Sequence, residues 1–178
     1  MIKLLPKTLT RYRHNRGFGV HSPLGYRLIT GVIHERAQYY CYGEINEMFG
    51  YRDSVLAKRV FRLLVDRQSR RVAIIDDDPE RAARWVRIVQ LAVGEGVVPD
   101  VLSMPPMSVF DTAGYGFVIC NSRVVLNVAI GTMAVQTVKA KKAWRATMAM
   151  LRDGLVINAR AHGLVVRRDN LPLQVILV

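Results

Sequence analysis

The stretch Arg71–Glu80, RVAIIDDDPE, restricts the fold more than any other part of the chain. Val72 to Ile75 are apolar without a polar break, the mark of a strand buried on both faces. Asp76, Asp77 and Asp78 follow at once. Asp78 stands where a helix N-cap belongs, with Pro79 at the first helical position and Glu80 in the first turn. Ala82, Val86, Val89 and Val93 then recur at helical spacing, with Trp85, Ile88 and Ala92 beside them. A strand, an acidic turn and a helix make the leading half of a βαβ unit. In sheets of this kind ligands bind at the carboxyl ends of the strands. An acid there can accept hydrogen bonds from both hydroxyls of a ribose. The same residues equally suit a structural part, with Asp78 capping the helix and Asp76 and Asp77 solvated in the turn.

On the amino-terminal side of this unit, Ser22 and Pro23 read as the N-cap and first residue of a helix reaching about Arg36, with Leu24, Leu28, Ile29, Val32 and Ile33 as its apolar stripe. His21 reads as a structural hydrogen-bonding group beside it. A short helical stretch ends near Phe49-Gly50, and Tyr51–Arg67 forms a further helix on Leu56, Val60, Phe61, Leu63 and Leu64. Beyond the unit, Val97–Met104, Tyr115–Asn121 and Val124–Ile130 read as strands. Ser122 and Arg123 alone separate the last two, too little for the crossover that parallel neighbours in one sheet need. Thr132–Leu151 reads as a helix. Leu155–Arg160, Gly163–Arg168 and Leu173–Val178 read as three strands joined by hairpin-like connections. The expectation is an α/β domain whose mostly parallel, twisted sheet ends in antiparallel strands.

The chain has 178 residues, which suits a single domain with a real core. No apolar run is long enough to span a bilayer, and the first residues lack the apolar core of a secretory signal. Cys41 and Cys120 are too few for a disulfide framework, so a reduced, cytoplasmic setting is expected. The net charge of +12 points to an anionic partner such as nucleic acid, a phosphorylated metabolite or an anionic membrane surface. Lys7, Arg11, Arg13 and Arg16 concentrate that charge in an arm that interleaves aromatics, as in Arg11-Tyr12-Arg13-His14, which suits phosphates and stacked bases of a nucleic acid or other polyanion. An arm whose aromatics pack on the body fits the same pattern.

Motifs for several chemistries are missing. There is no GxxxxGKS/T phosphate loop, no GxSxG and no HExxH, and the histidines and cysteines do not cluster at zinc spacings. No glycine-rich turn follows a strand and opens a helix. Gly17 and Gly19 follow a basic coil, Gly94 and Gly96 follow a helix, and Gly114 and Gly116 precede a strand. The close backbone approach that a nucleotide cofactor needs is therefore not provided in the usual way.

Three segments carry a family resemblance: RYRHNRGFGVHSPLGYRLITGVIHE at 11–35, the pair Tyr39-Tyr40, and LVINARAHGLVVRRDNLPLQVILV at 155–178. They resemble a group of small bacterial S-adenosylmethionine-dependent methyltransferases of the Rossmann-like class. The resemblance implies that VAIIDDDPERAARW is the second strand of that fold with its helix, and that YGFVICNS is the fourth. It implies S-adenosylmethionine as cofactor, Asp76 or Asp77 as the ribose acid, and Asn121 lining the same cleft. The sequence departs from the pattern in three places. The acid-plus-glycine loop of the first strand is missing, the fourth-strand acid is replaced by Asn121, and the helix between the fourth and fifth strands is absent. The expectation is a shortened methyltransferase-like protein, active or degenerate. The alternative is a non-catalytic polyanion-binding module that uses the basic arm.

Overall fold

The computed structural model describes Arg13, Val20, residues 22–159 and residues 161–178, the side chains of Tyr51 and Arg52 excepted. Ser22 caps the first helix as its sequence requires, its hydroxyl accepting from the Gly25 amide at 3.2 Å. Helix α1 runs from Pro23–Tyr26 into a π-helical continuation over Arg27–Ile33. Its last turn is closed by the His34 amide donating to the Ile29 carbonyl, five residues back, at 3.0 Å. Helix α2, Tyr42–Arg67, is kinked at Gly50, whose φ of 65° and ψ of 173° suit a residue without a Cβ. It is thus two helical segments, divided where the sequence divides them.

Strand β1 is Val72–Ile75 and helix α3 is Pro79–Val93. Strands β2 (Asp100–Leu102), β3 (Val109–Asp111), β4 (Phe117–Cys120), β5 (Val125–Asn127) and β6 (Met133–Thr137) follow. Helix α4 is Lys141–Met150, and β7 (Leu155–Asn158), β8 (His162–Val166) and β9 (Gln174–Leu177) complete the described chain.

The main sheet has seven strands in the order β2-β1-β4-β6-β8-β7-β9. Here β8 runs antiparallel to both β6 and β7, while the other pairings are parallel. The α/β class, the mostly parallel sheet and the carboxyl-terminal antiparallel hairpin β7–β8 therefore hold. Strand alternation supplies two cores. Val72, Ile74, Phe117, Ile119, Met133 and Val135 face helices α1 to α3, and Ala73, Ile75, Val118, Cys120 and Ala134 face Trp144 of α4 and Leu126 of β5.

Four expectations change. Val109–Asp111 is a strand, pairing parallel with β5 in a separate two-stranded sheet. This removes the difficulty of the short Ser122-Arg123 link, because β4 and β5 belong to different sheets. Met133–Thr137 lies in the main sheet, so the helix read over Thr132–Leu151 begins only at Lys141. Strand β9 makes no hairpin with β8. It pairs in parallel with β7, from the side opposite β8. Finally, β1 lies between β2 and β4. In the common doubly wound order that is the place of the first strand, at the point where the strand order reverses, and not of the second.

Lys7, Arg11, Arg16 and His21 lie outside the described residues, and Arg13 is exposed. Among the described residues no helix is long and apolar enough to cross a membrane.

Candidate functional site

The carboxyl ends of β1, β4, β6 and β7 share one edge with the amino end of the antiparallel β8. At the reversal point the three residues singled out in the sequence take different places. Asp76 is only 3% exposed. Its Oδ1 accepts from the Asp78 amide at 3.0 Å and from Arg81 Nη2 at 2.6 Å, and its Oδ2 accepts from Arg81 Nε at 2.8 Å and from Asn121 Nδ2 at 2.9 Å. Burial alone would raise its pKa. The hydrogen bonds from Arg81, the Asp78 amide and Asn121 outweigh that and hold the carboxyl below its usual range. Asp77 is exposed and makes no hydrogen bond with a described residue. Asp78 caps α3, accepting from the Glu80 and Arg81 amides at 3.0 and 3.2 Å. The amides that a helix start offers to an anion are thus already used.

A cleft of about 750 Å³ opens along this edge, within the size range of small-molecule sites. Asn121 lines it, whereas Asp76 and Asp77 do not. Its charged lining is Arg59, Arg81, Arg84, Arg123 and Lys139 against the single acid Asp53. Each element delivers its residues by its own period. Asp53, Leu56 and Arg59 share a face of α2, Arg81, Arg84 and Trp85 share a face of α3, and Val135 and Thr137 share a face of β6. The kink at Gly50 lets Phe49 turn onto Trp85, with ring centroids 4.9 Å apart and planes at 56°.

The lining is unusual in its unmet hydrogen bonds. Six buried side-chain polar atoms have no partner among the described residues, and four of them belong to this cleft: His34 Nε2, Arg84 Nε, Trp85 Nε1 and His162 Nδ1. Such groups are rare and ask for a reason. Arg59 is largely buried yet makes no hydrogen bond or ion pair with a described residue. Burial, with Arg62 nearby, lowers its pKa. Burial also lowers His34, helped by the charges of Arg59 and Arg62, and pushes His162 down to about 4, helped by Arg59. Both imidazoles are therefore neutral at physiological pH, held beside a guanidinium that lacks a counter-ion.

Other reactive groups are spent elsewhere. The Cys120 thiol is buried, pushed up to about 12, and donates to the Ser122 carbonyl at 3.7 Å, so it is no nucleophile. No group of three or more His, Cys, Asp or Glu among the described residues is placed to hold a metal ion.

The fit to S-adenosylmethionine is poor. That molecule has a net positive charge, an ammonium and a sulfonium against one carboxylate, and this lining is cationic. The buried acid at the strand end has its acceptor positions filled, and the acid left free, Asp77, lies outside the cleft. Sequence reasoning did not find His34, Arg59, Arg84 or His162. One signal was present: Arg59 interrupts the apolar stripe Leu56, Val60, Leu63 on a helix predicted to pack on a sheet. Comparison of the chain with protein-family models, curated proteins and solved structures returns no match.

Proposed function

We propose that this chain is a binding protein for an anionic ligand, which it takes into the cleft at the carboxyl edge of its sheet. One observation carries the reading: Arg59 is a largely buried cation with no acid near enough to pair with it, set among four further cationic side chains that line the same cleft. A desolvated guanidinium without a counter-ion is costly, and an anion from solution removes that cost. The arrangement moves the anion-binding expectation from the basic arm to the body of the fold. Inorganic phosphate at millimolar concentration is expected to bind, to raise the Tm, and to lose affinity as chloride is added. A Tm and a calorimetric trace unchanged by phosphate would defeat the proposal.

The methyltransferase-like reading keeps one supporting observation, the position of the cleft at the reversal of strand order. S-adenosylmethionine titrated into the protein under the same conditions separates the two. Saturable binding of S-adenosylmethionine without binding of phosphate favours the enzyme reading.

A further inference from the structure

The cleft holds its unsatisfied groups in two sets. Arg59, His34 and His162 form one, joined by the influence of the Arg59 charge on both imidazoles. The other comprises Trp85, Phe49 and Arg84, with Trp85 against Phe49 and the Arg84 guanidinium carbon 5.7 Å from the Phe49 centroid. The first set offers N–H donors and positive charge and suits a phosphate, whose oxygens accept from all directions. The second offers aromatic surface with two unused donors at its edge, Trp85 Nε1 and Arg84 Nε. A phosphate there would leave the aromatic surface unused, while a flat ring bearing acceptor atoms uses both. Trp85 is 3% exposed, so its unpaired indole N–H is desolvated whether or not a ligand is bound.

Resting on the anion-binding reading above, we infer that the ligand is a small aromatic phosphate of the nucleoside monophosphate type. Its phosphate lies among Arg59, His34 and His162, and its ring lies against Trp85 and Phe49 with acceptors toward Trp85 Nε1 and Arg84 Nε. The two sets line one continuous cleft of about 750 Å³, room enough for both halves of such a molecule.

The test is calorimetry on the whole chain with AMP, UMP, adenosine and inorganic phosphate, together with Arg59→Gln, Arg59→Lys and Trp85→Phe. Circular dichroism establishes that each variant is folded. At least one nucleotide is expected to bind roughly tenfold or more tighter than either phosphate or adenosine. Arg59→Gln is expected to cost about tenfold in nucleotide and phosphate affinity and to leave adenosine unchanged, with Arg59→Lys recovering part of the loss. Trp85→Phe is expected to weaken nucleotide and adenosine but not phosphate. Should Arg59→Gln fail to fold, the salt dependence of nucleotide binding to the unaltered protein takes its place, and affinity constant between low and high chloride overturns the proposal. Phosphate binding as tightly as both nucleotides overturns the aromatic half and leaves the anion-binding reading standing. Absence of binding by phosphate and nucleotides alike overturns both. A single-stranded oligonucleotide binding far more tightly than the mononucleotides overturns the small-molecule assignment.

Discussion

Arg81 grips Asp76 through two parallel donors, Nη2 to Oδ1 at 2.6 Å and Nε to Oδ2 at 2.8 Å. The carboxylate side chain is fully shielded from solvent, while the arginine is 40% exposed. The pair ties the end of β1 to the first turn of α3, and Asn121 adds the end of β4. A residue that by position invites a ligand is thus spent on holding three elements together. Replacing Arg81 by Met leaves a buried carboxylate short of two donors. The expected loss is about 1–3 kcal/mol, at the low end if solvent reaches the exposed side. A urea unfolding midpoint measures it.

Asn121→Asp places a second carboxylate within hydrogen-bond distance of Asp76, where Asn121 Nδ2 now donates at 2.9 Å. Two such acids cannot both ionise cheaply. A loss of about 1–3 kcal/mol is expected at neutral pH, shrinking as pH falls and the pair takes up a proton. A loss that grows on acidification would contradict this.

The His162 imidazole, at about 4 in the folded protein, sits well below its ordinary 6.5. Between those values the unfolded chain binds a proton that the native one refuses, so stability rises with pH across that window and falls as pH drops through it. His34 is shifted the same way, by burial first and then by Arg59 and Arg62. His162→Gln is expected to flatten the stability curve between about pH 4 and 6.5, read from unfolding at a series of pH values. A curve as steep as that of the unaltered protein would exclude His162 as the source.

Arg62 is buried and faces no carboxylate. Its Nε and Nη2 donate to the Val32 and Ile33 carbonyls at 2.7 Å each, and Nη1 donates to the Tyr42 hydroxyl at 2.9 Å. Those carbonyls close α1, where the helix dipole favours a cation. Arg62→Met fills similar volume but strands the carbonyls. A loss of about 2–4 kcal/mol and faster amide exchange through α1 are expected.

Gly163 in β8 lies under the Trp144 ring of α4, and a Cβ there would collide with the indole. Gly163→Ala is expected to cost about 1–3 kcal/mol and to shift the Trp144 fluorescence, since the helix must lift from the sheet. An unchanged emission spectrum with unchanged stability would show that the contact is looser than it stands here.

Local signals carried much of the fold. The apolar run Val72–Ile75, the Asp78 cap with Pro79 behind it, and Ser22 before Pro23 each act within a few residues and needed no partner to be read. Met133–Thr137 gave the opposite lesson. Its residues flow into the helix-forming KKAWRATMAM, and nothing local marks the boundary. It is a strand because β4 and β8 bond it on both sides. Val109–Asp111, short and partly exposed, offered no pattern to find.

By itself the sequence determined the βαβ beginning, the α/β class and the excess of positive charge, since backbone preference and composition are local properties. The tertiary structure alone decided where that charge gathers. Asp76, Arg81 and Asn121, which looked available, neutralise one another when β1, α3 and β4 meet. His34, Arg59, Trp85 and His162, scattered along the chain, are desolvated together at one sheet edge. Whether a polar group is satisfied or left seeking a partner depends on its neighbours in space, and those are fixed only when the chain packs.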